Sequence, residues 1–277
     1  MLKGLSIWAL KDNESRPAEE LFGEAREHGF EGIELAIGEA GLVTPDSTED
    51  DCRALVETAE SAGLTVTSLA SGLGWQYPMT AEDEEVRQRG VELVQQSLRA
   101  ASWLGVEALL VVPGTLAPLD EETGDHVPYD VAMERMRIGI TRCIPTAEEA
   151  GVTLGIENVW NRVLLSPTEM RDFIDSFDCA RVGSYLDVGN MILFGYAEDW
   201  IRILRERICA VHFKDFKRSV GTLEGFCPLL EGDVNYPAVM EGLREVGYDG
   251  PTVAEFFGLG SEELDRLSES MDEILAM

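Results

Sequence analysis

The sequence predicts an α/β fold, a closed (β/α)8 barrel made by a single domain over residues 1–277. The first observation behind this is a recurring unit, in which an amphipathic helix ends at a glycine and a short apolar, β-branched run follows. It occurs as EAREHGFEGIELAI at Gly29, AESAGLTVTSLA at Gly63, AASWLGVEALLVV at Gly105, AEEAGVTLGIE at Gly151 and LREVGYDGPTVAE at Gly247. Each reads as a helix C-cap at a left-handed glycine leading into a buried strand. Two weaker units, ARVGSYLDVGN and RERICAVHFKDF, fill the stretch between Gly151 and Gly247. The second observation is that the apolar runs number eight. One strand plus one helix per repeat implies parallel strands with crossover helices, and eight such units close a barrel. A doubly wound open sheet is the alternative. However, no GxGxxG follows the first run and no GxxxxGK[ST] occurs anywhere.

The eight expected strands are Leu5–Leu10, Gly32–Ile37, Thr65–Ala70, Ala108–Val112, Thr153–Glu157, Ser184–Asp187, Cys209–Phe213 and Thr252–Phe256. Helical periodicity lies between them. In DEEVRQRGVELVQQSLRAASWLG, Val91, Val94, Leu98 and Ala101 recur at three- and four-residue steps and give one apolar stripe. His28, just before Gly29, is a cation suited to the negative end of a helix dipole rather than a ligand. The polar stretches Gly38–Asp51 and Ala117–Pro128 read as barrel loops, with His126 exposed. No linker or change of composition divides the chain.

Charge narrows the function. The chain has 22 basic and 52 acidic residues, a net charge of −30. Such a surface repels phosphate backbones and anionic lipid, which argues against a nucleic-acid or membrane-surface partner. Only Lys3, Lys11, Lys214 and Lys217 among the cations are lysines. The strong acidity fits either a salt-adapted protein or an ordinary acidic cytosolic one. The five cysteines, Cys52, Cys143, Cys179, Cys209 and Cys227, form no CxxC pair and suggest neither a disulfide framework nor a zinc knuckle. The N-terminal MLKGLSIWAL lacks a signal-peptide pattern, and no apolar run reaches the roughly 18 residues of a membrane span. The expected location is the cytoplasm.

In a barrel of this kind the residues at the C-terminal strand ends face the active site. The fifth to eighth apolar runs end in or carry Glu157, Asp187, His212 and Glu255. Three carboxylates gathered at a low-dielectric barrel mouth need a countercharge, and a divalent cation supplies it with neutral His212 as fourth ligand. Three oxygen donors and one imidazole suit Mn²⁺ first, with Mg²⁺, Co²⁺ or Zn²⁺ as alternatives. Any one of these residues alone would read as a strand-end group hydrogen-bonded to a loop. Four on consecutive strand ends favour a metal site.

The segments LGIENVWNRVLLSP, SYLDVGNM, VHFKDFKR, EGDVNYPAV and TVAEFF resemble the xylose-isomerase-like TIM-barrel sugar phosphate isomerases and epimerases, in particular the ketose 3-epimerase-like branch. The resemblance runs over nearly the whole chain. It implies that Glu157 and Glu255 both bind the metal and move protons, that Asp187 and His212 only bind it, and that Arg218 contacts substrate. The pattern departs from the family's epimerases at Asn190, where they often carry His, and at Val163, where they often carry Glu. Lys214 and Asp215 suit either substrate contact or a local ion pair. Trp8 and Trp75 suit an apolar wall against a sugar or core packing, and Asn158 and Asn161 suit either support of the metal-binding residues from behind or loop fixing.

The chemistry then expected is proton abstraction beside a carbonyl of a sugar or sugar phosphate, through an enediolate stabilised by the metal. Return of a proton to the opposite face inverts the carbon, as in ketose 3-epimerisation, whereas transfer on one face gives aldose–ketose isomerisation. A dehydratase of the inositol-catabolism kind and a non-catalytic sugar sensor are the rivals. A three-zinc endonuclease is disfavoured by the scarcity of histidine and of basic surface. The family resemblance implies a homodimer or homotetramer.

Overall fold

The computed structural model describes residues 1–117 and 126–277. Eight parallel strands form a closed barrel: β1 (Leu2–Ser6), β2 (Gly32–Ile37), β3 (Thr65–Ser71), β4 (Ala108–Val111), β5 (Thr153–Glu157), β6 (Val182–Asp187), β7 (Ile208–Phe213) and β10 (Pro251–Ala254). Neighbours follow chain order, and β1 closes the ring on β10 through Leu2↔Pro251 to Leu5↔Ala254. A two-stranded antiparallel ribbon, β8 (Asp215–Phe216) with β9 (Phe226–Cys227), stands outside the barrel after β7. The helices are α1 (Ala18–Glu27), α2 (Glu49–Ser61), the single turn α3 (Leu73–Gln76), α4 (Glu84–Trp103), α5 (Tyr129–Ala150), α6 (Pro167–Asp175), α7 (Ala197–Leu204), α8 (Tyr236–Glu245) and α9 (Ser261–Leu275).

The glycine signal holds. Gly29, Gly63, Gly105, Gly151 and Gly247 all have φ between +72° and +82° just past their helices, where a side chain would be strained. The helix starts use other chemistry. Thr48 and Asp51 cap α2 reciprocally, and Ser166 caps α6 ahead of Pro167. Val91, Val94, Leu98 and Ala101 are buried along one face of α4, as their spacing predicts. His28 caps α1, with Nδ1 2.6 Å from Asp265 on α9. His126 is exposed, and residues 118–125 of the Ala117–Pro128 loop lie outside the described residues.

Strand limits shift at the two ends of the chain. The first strand is Leu2–Ser6 rather than Leu5–Leu10, because Ile7–Ala9 turns into a 3-10 helix that carries Trp8 over the barrel mouth. The last strand ends at Ala254, so Glu255 begins the following loop.

The core has two parts. One lies between the sheet and its helices. The other fills the lumen with Ala70, Ala108, Leu110, Val112, Tyr185 and Ala210. Gly155 faces this lumen, and a Cβ there would come within 3.0 Å of the Tyr185 Cβ and 2.8 Å of the Cys209 Sγ. Two β-bulges interrupt the ring. Residue Thr67 is extra on β3 between the pairs Ile33↔Val66 and Glu34↔Ser68, and Cys209 is extra on β7 between Ser184↔Ile208 and Tyr185↔Ala210. The second bulge brings His212 level with Asp187.

Candidate metal centre

Four side chains far apart in sequence meet at the C-terminal rim. Glu157 ends β5, Asp187 ends β6, His212 lies near the end of β7, and Glu255 follows β10. One donor atom from each lies within 4.8 Å of the others. All four residues are buried. His212 Nδ1 is 3.4 Å from a Glu255 oxygen and 3.9 Å from Glu157. Asp187 Oδ1 accepts the backbone N–H groups of Gly189 and Asn190, which leaves Oδ2 turned to the cluster.

Three buried polar atoms in this cluster lack a hydrogen bond: Asp187 Oδ2, His212 Nδ1 and Glu255 Oε2. A lost hydrogen bond at a buried polar atom costs about 1–3 kcal/mol, so three orphans at one point call for a shared partner. Lys214 supplies part of one. Its ammonium contacts Glu255 Oε2 closely, though without hydrogen-bond geometry, and lies 3.4 Å from Asp187 Oδ2. Even with His212 protonated beside Lys214, the carboxylates of Glu34, Glu157, Asp187 and Glu255 outnumber the cations. The donor set therefore fits a divalent cation, with oxygen and imidazole ligands.

The electrostatics follow from burial among like charges. Burial, and then Glu255, outweigh the His212 contact and push Glu157 up to about 7. Burial also raises Asp187 against the pull of Lys214. Burial would raise Glu255 too, but Lys214 and His212 outweigh it and hold its carboxyl well below the usual range. Burial disfavours the His212 imidazolium, yet the carboxylates of Glu34 and Glu255 lift its pKa well above the ordinary value.

Around the cluster is a cavity of about 800 Å³ whose lining includes Trp8, Trp75, Leu110, Trp160, Asn190, Lys214, Phe226 and Phe257. Trp8 stacks on Phe257 with centroids 6.0 Å apart. An adjoining cavity of about 710 Å³ shares the walls Val159, Trp160, Asn190 and Leu223. Asn190 Nδ2 donates to Glu157 Oε1 at 3.3 Å, so the residue standing where family epimerases often carry His touches the cluster. Val163 is buried and does not line either cavity.

Arg218 takes another position. It is not among the cavity-lining residues. Its guanidinium donates to the carbonyls of Ile192 (2.6 Å) and Gly195 (2.7 Å) and lies over the Tyr196 ring, which fastens the β6–α7 loop to the segment after β7. Asp215 is a loop organiser: it is fully buried and accepts the N–H groups of Phe216, Gly232 and Val234. Asn158 bridges both backbone groups of Asp187, and Asn161 donates to the Gly114 carbonyl. Both are therefore fixing groups.

The sequence reading missed Glu34, Ser68 and Tyr185. Glu34 is fully buried, and its carboxylate receives Nε2 of His212 at 2.9 Å, Ser68 Oγ at 2.9 Å and the Tyr185 hydroxyl. The signal was present as the lone acidic residue inside the apolar run GIELAI.

A profile of the xylose isomerase-like TIM barrel matches residues 22–276. The L-ribulose-5-phosphate 3-epimerase UlaE of Salmonella heidelberg strain SL476 is 26% identical over 247 residues, spanning 86% of this chain and 81% of its own length. The enzyme of the same name from Escherichia coli O1:K1 / APEC is 26% identical over 248 residues, with 86% and 82% covered. Among solved structures, D-psicose 3-epimerase from Clostridium cellulolyticum H10 superposes with a TM-score of 0.79 at 17% identity, covering 100% of this chain and 97% of that one. An L-ribulose 3-epimerase superposes with a TM-score of 0.78 at 21% identity, covering 100% and 95%. The structural likenesses show the fold, and the profile match shows the family. The chain thus belongs to the xylose isomerase-like TIM-barrel family.

Proposed function

We propose that the protein is a divalent-metal-dependent isomerase acting as a ketose 3-epimerase. The observation that carries this reading is the convergence of Glu157, Asp187, His212 and Glu255, with unsatisfied donors aimed at one point. These four would hold the cation, with Mn²⁺ first and Mg²⁺, Co²⁺ or Zn²⁺ as alternatives. When bound, such an ion supplies Lewis-acid polarisation of a substrate carbonyl and a template for it. Glu157 and Glu255 serve as the proton-moving pair. One takes the proton from the carbon beside the carbonyl, and the other returns a proton to the opposite face. Lys214 and Asn190 face the substrate, Trp8 and Trp75 form its apolar wall, and Arg218 shapes the site by holding a loop.

An uncharged ketose is favoured over a ketose phosphate. Among the described residues lining the main cavity, Lys214 is the one cation, and it is already engaged with Glu255 and Asp187. The adjoining cavity adds Arg162, and residues 118–125 contain neither Lys nor Arg. A dianionic phosphate in the main cavity would have to desolvate beside Glu157, Glu255 and Glu263, away from Arg162 in the adjoining one. The names of the curated relatives support the phosphorylated alternative. Among the described residues no helix is long and apolar enough to cross a membrane, which fits a cytoplasmic enzyme, and a homodimer or homotetramer is part of the same proposal.

The test is proton exchange. Mn²⁺-loaded protein is incubated in D2O with parallel panels of free ketoses and ketose phosphates and followed by NMR. Deuterium uptake at C3 with appearance of the epimer is expected for a free ketose. Uptake confined to the phosphates would overturn the substrate class, loss of water would indicate a dehydratase, and silence throughout would indicate a binding protein.

A further inference from the structure

Glu34 sits on the far wall of the barrel from the four candidate ligands, yet it is bonded to one of them. The β2 strand neighbours β1 and β3, whereas His212 lies on β7, between β6 and β10. The Glu34–His212 contact therefore crosses the lumen. His212 Nε2 is 2.9 Å from Oε1 and 3.2 Å from Oε2 of Glu34. Oε2 also accepts from Ser68 Oγ and from the Tyr185 hydroxyl, and those two hydroxyls are 3.0 Å apart. The Tyr185 ring packs on the imidazole with centroids 4.5 Å apart. Glu34, Ser68, Tyr185 and His212 are each wholly buried, so the contact is sealed from water.

Both β-bulges serve this network. The register shift beside Glu34 pairs it with Ser68, and the shift beside Tyr185 restores β7 so that His212 stands opposite Asp187. Bulges re-aim side chains and recur beside functional sites. A buried carboxylate held by two hydroxyls and turned onto an imidazole is placed to orient that imidazole.

We propose that Glu34 is a positioning residue that fixes the ring orientation and tautomer of His212. With Nε2 committed to Glu34, Nδ1 is the ring nitrogen left to face Glu157 and Glu255, and it is one of the three buried atoms without a hydrogen bond. Tyr185 and Ser68 in turn hold the carboxylate in place. This rests on the metal-site reading above, and it adds a residue that the four-ligand set does not contain. An outer carboxylate on a ligating histidine sets its orientation and basicity, and loss of such a partner costs about 10- to 100-fold in metal affinity.

The experiment measures Mn²⁺ binding by isothermal titration calorimetry, and Co²⁺ visible absorption, in wild type, Glu34→Gln and Tyr185→Phe. Far-UV circular dichroism confirms the fold of each. Glu34→Gln is expected to bind Mn²⁺ about 10- to 100-fold more weakly and to alter the Co²⁺ spectrum. Tyr185→Phe removes one hydrogen bond to the carboxylate and is expected to weaken binding about 2- to 10-fold. Mn²⁺ binding by a folded Glu34→Gln within twofold of wild type, with an unchanged Co²⁺ spectrum, overturns the proposal. If Glu34→Gln does not fold, unchanged binding and spectrum in Tyr185→Phe overturn it. Failure of the wild type itself to bind Mn²⁺ would instead overturn the metal site.

Discussion

Each rim of the barrel holds a lysine withdrawn from water, and the two rims balance it differently. At the N-terminal rim, Lys3 donates to Ser268 Oγ at 2.8 Å and to Asp272 at 2.7 Å, and its ammonium lies 5.5 Å from the centre of the Phe30 ring. Asp272 is 67% exposed, so its charge stays hydrated. One cation meets one anion, and the result ties α9 to β1. At the C-terminal rim, Lys214 meets Glu255 and Asp187 with Glu157 beside them, and none of these carboxylates is more than 6% exposed. Here the anions outnumber the cation in a dry site. A balanced pair is a structural stitch, whereas an unbalanced, desolvated cluster is a binding site for charge.

The contrast can be broken from either side. The largest effect is expected from Glu157→Gln, which removes the proton-moving carboxylate while leaving Asp187, His212 and Glu255 in place. Turnover in the deuterium-exchange assay should fall by at least about 100-fold, while part of the Mn²⁺ affinity remains. Substantial residual turnover would remove Glu157 from the proton-transfer role. Next comes pH. Glu157 must be a carboxylate to hold the ion and its pKa is raised to about 7, so protons compete with metal below that point. Mn²⁺ affinity should therefore be at least about tenfold weaker at pH 6 than at pH 8, as read by calorimetry, and the raised pKa of His212 acts in the same direction. A flat profile would mean that Glu157 does not ligate. The smallest expected effect on the site is that of Lys3→Met. It should lower stability by about 1–3 kcal/mol in urea unfolding by leaving Ser268 and Asp272 without their partner, with Mn²⁺ affinity unchanged. A joint loss of both would show that the rims are coupled.

Much of this was legible because it is local. The glycine after each helix and the apolar run after it report on neighbouring residues, and seven of the expected strands lie within two residues of their observed limits. The four candidate ligands were legible for the same reason, since each sits directly at the end of its run. The first strand was displaced because SIWAL is apolar throughout, and such a run gives no sign of where extension yields to a 3-10 turn. Glu34 was hidden by distance, since its partner is 178 positions away and only closure of the barrel brings them together. Arg218 was expected at the substrate. Its position six residues after His212 carries no information about the carbonyls of Ile192 and Gly195, which the β6–α7 loop offers it.

The extra residue at Cys209 has a consequence for comparing related chains. Ile208 pairs with Ser184 and Ala210 with Tyr185, so a chain without Cys209 would run through the same pairs with no bulge and keep its inward and outward faces. A strand of the same length that ran straight would instead set Val211 opposite Asp187 and turn His212 toward the helices. A homologue could thus match at every position of this strand and still have no ligand there. Where β7 takes its irregular step therefore says more about inherited chemistry than the percentage of matching letters.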